Sequence, residues 1–558
     1  MAASGSGQPP QRVVGRVVDV LAREVRPAAL VIRDGRIVGV ESVPAEQADG
    51  FLLPGFIDAH VHVESSMLVP SEFARQAAVH GTVAAVSDPH EIGNVLGVPG
   101  VQYMLDNAAC CPFKFFFGAP SCVPATEFET AGAAISVAEV EALLDDPRIV
   151  YLSEMMNFPG VLAGDPACLA KIAAARSRGK RIDGHAPGLR GEAAARYVRA
   201  GMTTDHECFS KEEALDKLAA GCKIAIREGS AARNFDALWE LIGERPGQVM
   251  LCSDDKHPDE LLEGHIDALV RRAVARGVDV FDALRAACLT PIDHYGLDRG
   301  PRPVGRLRTG DPADFIEVDS LESLRVRRTW IDGRLVASGG KTLIERTEPT
   351  TINRFVPARL TADQIATPCS ADRRLLVIEA LDGQLITRSV ETEPTCSQGL
   401  AVADPRRDLL KLVVVNRYAP APPAVAFVRG FGLQRGALAS SVAHDSHNVI
   451  AAGANDDDLL AAIDAVMEAR GGLSAACAEE GARLALPLPV AGLMATGTCA
   501  EVGAAYRELD RAVKAWGATL RSPYMTLSFM ALLVIPELKL SDRGLFDGSA
   551  FRFTPLMR

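Results

Sequence analysis

Aromatic residues are scarce, at 5% of 558 positions, and no apolar run approaches the roughly 20 residues that a membrane-crossing helix needs. The longest runs, such as "MALLVIP" from Met530, fall far short of that length. Positive charge is also in deficit: 59 Lys and Arg against 71 Asp and Glu leave a formal charge of −12, which argues against a nucleic-acid backbone as partner. Paired CxxC motifs are absent, although 12 cysteines are scattered along the chain and Cys110 adjoins Cys111. That usage suits reduced thiols in the cytoplasm better than a disulfide framework. The N-terminal "MAASGSGQPPQ" lacks a basic segment followed by an apolar one, so residues 1–11 read as a loose tail and not as a signal peptide. No glycine-rich dinucleotide fingerprint follows the first strand, and there is no Walker-type loop.

What is present is a long, Ala- and Val-rich chain, 48% hydrophobic, long enough for several domains. Short alternating bursts with Asp-Gly turns occur near both ends of the first 346 residues, as "RDGRIVG" and "WIDGRLV". They predict hairpins. The economical arrangement is one composite β-sandwich domain from residues 12–53 and 301–346 that encloses an inserted domain. Residues 54–300 alternate strand-like pieces ("TVAAVSDPH", "IVYLSEMMN", "VMLCSDDKHP") with helical ones ("SVAEVEALLDD", "HIDALVRRAVARG"). About eight βα units in that length predict a (β/α)8 barrel in preference to an open doubly wound sheet. Residues 347–558 read as a C-terminal α+β domain, with Val502, Tyr506, Leu509, Val513 and Trp516 as the core stripe of one helix.

In such a barrel, chemistry is carried at the C-terminal ends of the strands. Those ends supply His60 and His62, then His90, Glu154, His185, His206 and Asp254. A lone histidine at such a point is commonly a hydrogen-bonded core residue. Several of them from a chain with only 11 histidines are not well explained that way. His60 and His62 alternate along a strand and so face one point. Four imidazoles and two carboxylates suit zinc, iron or manganese, and six ligands suit two ions sharing a carboxylate. Glu154 is the natural bridge, and Asp254 combines a metal contact with proton transfer.

"PGFIDAHVHVESS" resembles the first-strand signature of the amidohydrolase superfamily of metal-dependent barrels. That superfamily's usual bridge is a carboxylated lysine, whereas Glu154 in "YLSEMMNFPGV" stands at the corresponding strand end here. Together with "DPHEIGNVLG", "IDGHAPG", "TTDHE", "SDDKHPDEL" and "AHDSHNVIAAG", the pattern resembles the bacterial adenine deaminase family within it. The resemblance implies hydrolytic deamination of adenine to hypoxanthine and ammonia by a metal-bound hydroxide. It also implies two Mn(II) or Fe(II) ions, with zinc as an alternative, held by His60, His62, Glu154, His185, His206 and Asp254. Another amidohydrolase acting on a cyclic amide or a different aminopurine is the alternative, and a non-catalytic scaffold is a more distant one. Further candidates for substrate binding or an additional metal are Glu64, His90, Glu91, Asp255, His257, His444, Asp445 and His447. A cytoplasmic homodimer is the expected form.

Overall fold

The computed structural model describes residues 10–370 and 372–558. The tail expected over residues 1–11 lies outside them as far as residue 9, and Gln11 already opens a strand, Gln11–Asp19. Among the described residues no helix is long and apolar enough to cross a membrane.

At the centre is an eight-stranded parallel sheet formed in chain order by Phe56–Val61, Thr82–Ser87, Lys114–Ala119, Ile149–Met155, Arg181–Gly184, Thr204–Asp205, Lys223–Arg227 and Val249–Cys252. A parallel bridge between Val61 and Asp254, with the Asp254 N–H donating to the His60 carbonyl at 3.0 Å, joins the last strand to the first. The sheet is thus the barrel that the βα alternation predicts. Every residue of the first strand is buried, as a strand covered by helices outside and side chains inside must be. Gly55, just before it, has no room for a side chain: a Cβ there would sit 2.3 Å from Val83 Cγ1. The surrounding helices carry their own start signals. Ser136 and Glu139 form a capping box for Val137–Asp145, and Asp165 caps Pro166–Ser177 with proline in its first turn.

A second eight-stranded sheet combines Gln11–Asp19, Glu24–Arg33, Arg36–Ser42 and Phe51–Pro54 with Phe315–Val318, Val326–Ile331, Arg334–Ser338 and Lys341–Thr342. Its seam is the pairing of Phe51–Pro54 with Phe315–Val318. The Asp34-Gly35 and Asp332-Gly333 turns have positive φ at both residues, the two-residue hairpin geometry that Asp-Gly favours. Below the barrel, Lys114 Nζ donates to Asp314 at 2.6 Å, Asp332 at 2.8 Å and the Pro303 carbonyl at 2.6 Å. These bonds fasten the start of the third barrel strand to this sheet.

The third sheet contains Leu375–Ala380, Leu410–Val415, Ala424–Arg429 and Val449–Gly453 among its eight strands. Helix Cys499–Ala515 buries Val502, Tyr506, Leu509 and Val513, and the adjoining Trp516 is buried too. This helix packs against the barrel helix Pro258–Glu263, and the Ala495 N–H donates to the Met67 carbonyl at 2.8 Å. The third sheet therefore leans over the mouth of the barrel. Ten cysteines are free, nine of them buried. Cys369 and Cys396 form a single pair, with Cα atoms 6.0 Å apart. Long-range strand packing brings them together across a separation of 27 residues, which no local motif signals.

Candidate functional site

Alternation along the first strand turns His60 and His62 to one side, and the geometry bears on a single point. Their Nε2 atoms lie 3.2 Å apart. Asp254, two residues beyond the last strand and held at a positive φ, brings Oδ1 to 3.6 Å from His60 Nε2 and 3.4 Å from His62 Nε2. Glu154, near the end of the fourth strand, divides its two oxygens. Oε1 is 3.3 Å from His62 Nε2, while Oε2 is 2.7 Å from His185 Nδ1 and 3.1 Å from His206 Nε2. All six side chains are buried.

Such a density of buried imidazole and carboxylate is expensive without a compensating cation. Ligand atoms of His60, His62 and Asp254 lie within 4.8 Å of one another, as do those of His60, Glu154 and His206. His60 Nδ1 and His185 Nε2 have no hydrogen-bond partner. The donor set is all nitrogen and oxygen, which suits divalent first-row metals. Burial, reinforced by His206 and His62, pushes the His60 imidazole well below its ordinary range. Burial opposes ionisation of Asp254, but the Arg227 guanidinium and nearby histidines outweigh it and hold the carboxyl well below the usual range.

Three polar residues of this site are not among the expected candidates. Arg227, the last residue of the seventh strand, donates to Asp254 Oδ2 at 2.7 Å and to Glu207 Oε2 at 2.8 Å. Glu207 in turn lies 3.5 Å from both His185 Nδ1 and His206 Nε2. Both could be found by the strand-end rule that gives the histidines. Arg227 closes "KIAIR", and Glu207 follows His206. Asp88 is a third omission, with Oδ2 3.0 Å from His90 Nδ1.

The remaining candidates divide. His90 Nδ1 lies 3.6 Å from Glu154 Oε1. Glu91 meets His444 and His447 of the third sheet region, and Asp445 Oδ1 approaches His90 Nε2 to 3.9 Å. Asp255 accepts from Ser65 Oγ at 2.5 Å and lines the same cavity. Glu64 lies aside, accepting from the Ile92 N–H at 3.2 Å, and burial pushes its carboxyl up to about 7. His257 stacks edgewise on Tyr506 with ring centroids 4.5 Å apart and is absent from the cavity lining. Burial lowers its pKa to about 3. The cavity is narrow, with a polar floor of His62, Glu154 and Asp254 and an apolar cover that includes Leu385, Phe529 and Leu532. The larger surface cavity at the Asp34-Gly35 and Asp332-Gly333 turns is far from these groups and has no comparable chemistry.

The amidohydrolase family matches residues 51–336, and the adenine deaminase C-terminal domain matches residues 384–552. A protein of Salinibacter ruber called adenine deaminase is 58% identical over 545 residues, covering 97% of this chain and 98% of its own. Proteins of the same name from a Sulfurovum species and from Methanosarcina barkeri are 54% and 48% identical, each over at least 96% of this chain and 98% of their own length. The likeness to these relatives runs along nearly the whole sequence, through the barrel and the third sheet alike. The chain belongs to the adenine deaminase family of amidohydrolases.

Proposed function

We propose that this chain hydrolyses the C6 amine of adenine, giving hypoxanthine and ammonia, with His60, His62, Glu154, His185, His206 and Asp254 holding two divalent ions. The observation that carries the assignment of roles is the division of the Glu154 oxygens between His62 on one side and His185 with His206 on the other. Near-full-length likeness to proteins called adenine deaminase supports the substrate. When bound, Mn(II) or Fe(II), with zinc as the alternative, supplies Lewis acidity that makes water a competent nucleophile near neutral pH.

The chain's own residues do the rest. Addition at C6 requires a proton to arrive at N1 and another at the departing amine. Asp254 is the carrier: Oδ1 faces the histidines, while Arg227 fixes Oδ2 and keeps the group ionised and ready to accept. Met156, Leu385, Phe529 and Leu532 give the planar base an apolar enclosure and exclude bulk water. The same reading takes the enzyme as a cytoplasmic homodimer working in purine salvage.

The test is ammonia release from adenine by manganese-loaded protein, with hypoxanthine followed by absorbance. Glu154→Gln is expected to lose turnover on the order of 10³-fold or more and to bind less metal. A metal-loaded wild-type protein that leaves adenine unchanged would overturn the substrate, and ring opening of a cyclic amide would replace it with the alternative chemistry.

A further inference from the structure

Glu91, in the first turn of the barrel helix His90–Leu96, is buried between two histidines from the third sheet region. The two are not equivalent. His447 Nδ1 accepts from the Ala443 N–H at 3.2 Å, so its proton sits on Nε2, which donates to Glu91 Oε2. Both of its ring nitrogens are therefore used. His444 donates from Nδ1 to Glu91 Oε1 at 2.6 Å, because an ionised carboxylate can only accept. Its Nε2 is buried and has no hydrogen-bond partner. The same ring lines the cavity that holds His62, Glu154 and Asp254, with the Phe529 ring at a centroid distance of 5.1 Å.

A buried nitrogen oriented by a carboxylate on the far side of its ring, and left open on the cavity side, needs a partner. A purine offers ring nitrogens with lone pairs in its plane. We propose that His444 is a substrate contact of this reaction, its Nε2 hydrogen-bonding a ring nitrogen of the bound purine, with Glu91 and His447 as positioning residues. The proposal rests on the purine reading above. Burial disfavours the charged ring, but Glu91 outweighs it and raises the pKa to about 9. Nε2 then carries a proton to donate. The contact gives the third sheet region a direct part in choosing the substrate.

Two variants separate contact from scaffold. In His444→Asn the amide nitrogen occupies the place of Nδ1, so the bond to Glu91 is kept and Nε2 is removed. In His444→Gln the amide nitrogen reaches the place of Nε2. The expected result is that His444→Asn loses on the order of 10- to 100-fold in kcat/KM for adenine, with metal content and Tm at wild-type values. His444→Gln is expected to recover part of the loss. Wild type and His444→Asn are then compared with 1-deaza-, 3-deaza- and 7-deazaadenine as substrates or competitive inhibitors. The two proteins should behave alike toward the one analogue that lacks the contacted nitrogen. Unchanged kinetics of His444→Asn on adenine, or an equal loss against all three analogues, would overturn the contact. Wild-type turnover in the same assay shows separately whether the reaction itself stands.

Discussion

The two ends of the barrel bury charge to opposite effect. At the lower end Lys114 is fully buried and donates three hydrogen bonds, two of them to carboxylates. Two residues before His60, Asp58 accepts from the Ser253 N–H at 2.9 Å and from the Ser253 hydroxyl, and pairs with His265 Nε2 at 2.8 Å. His265 Nδ1 in turn meets Thr82 Oγ1 at 2.7 Å. At the mouth, by contrast, His60 Nδ1, His185 Nε2, His444 Nε2 and Asp445 Oδ2 have no partner. Asp58 precedes His60 by only two residues, so the contrast arises within a few positions of one strand. Satisfied buried charge fixes a fold, and unsatisfied buried charge reserves places for a cation or a substrate.

Within the mouth, Arg227 is the guanidinium that satisfies the carboxylates. Arg227→Met leaves Glu207 and Asp254 without their cation. We expect about 3–5 kcal/mol of lost stability in chemical denaturation together with a fall in kcat of about 10²-fold or more. Stability lost without activity lost would remove Asp254 from the proton-carrying role. Next in size is Lys114→Met at the lower end, predicted to cost about 3 kcal/mol because Asp314 is left buried and unpaired. Metal content and kcat at 25 °C should stay at wild-type values. A drop in metal content would show that the two ends are coupled.

The smallest effect concerns Lys539, which donates to the carbonyls of Leu385 at 2.7 Å and Phe529 at 2.9 Å and so fastens two residues of the cavity cover. Burial alone pushes its pKa down to about 7, whereas an unfolded lysine titrates near about 10.4. Between those values the unfolded chain binds more protons than the folded one, so this group makes stability rise with pH, by about 1.4 kcal/mol per unit. Below pH 7 the penalty is constant. Lys539→Met removes that slope but leaves two carbonyls unpaired, so the net change at pH 7 is within about 2 kcal/mol. Relative to wild type the variant should be at its best at pH 6 and lose ground by pH 9. Parallel Tm curves over that range would show that Lys539 does not titrate there.

Much of this was readable from residue order because barrel strands expose their chemistry at fixed places. "FIDAHVH" gives two converging imidazoles by alternation alone, and the strand-end reading reaches Glu154, His185, His206 and Asp254, which the structure brings together. Arg227 stands at such an end too, but a guanidinium is no metal ligand and a search for ligands passes over it. Leu385, Phe529 and Lys539 were not readable. Leu385 and Phe529 reach the cavity through packing of the third sheet, more than a hundred residues from the last barrel strand, Lys539 bonds to both, and nothing local distinguishes the three from core. The outcome at Glu91 shows the same limit: its neighbours His444 and His447 are 353 and 356 residues away.

The seam of the composite sheet also has a consequence in time. Phe51–Pro54 is hydrogen-bonded to Phe315–Val318, a partner that leaves the ribosome only after the entire barrel has been made. At about 5–20 residues per second, the interval is roughly 13–50 s. Through that interval "FLLP" is an apolar strand with one edge unpaired, the kind of edge that recruits other chains. The growing barrel must therefore be finished, or the edge sheltered, before the protein's own C-terminal half arrives to close it.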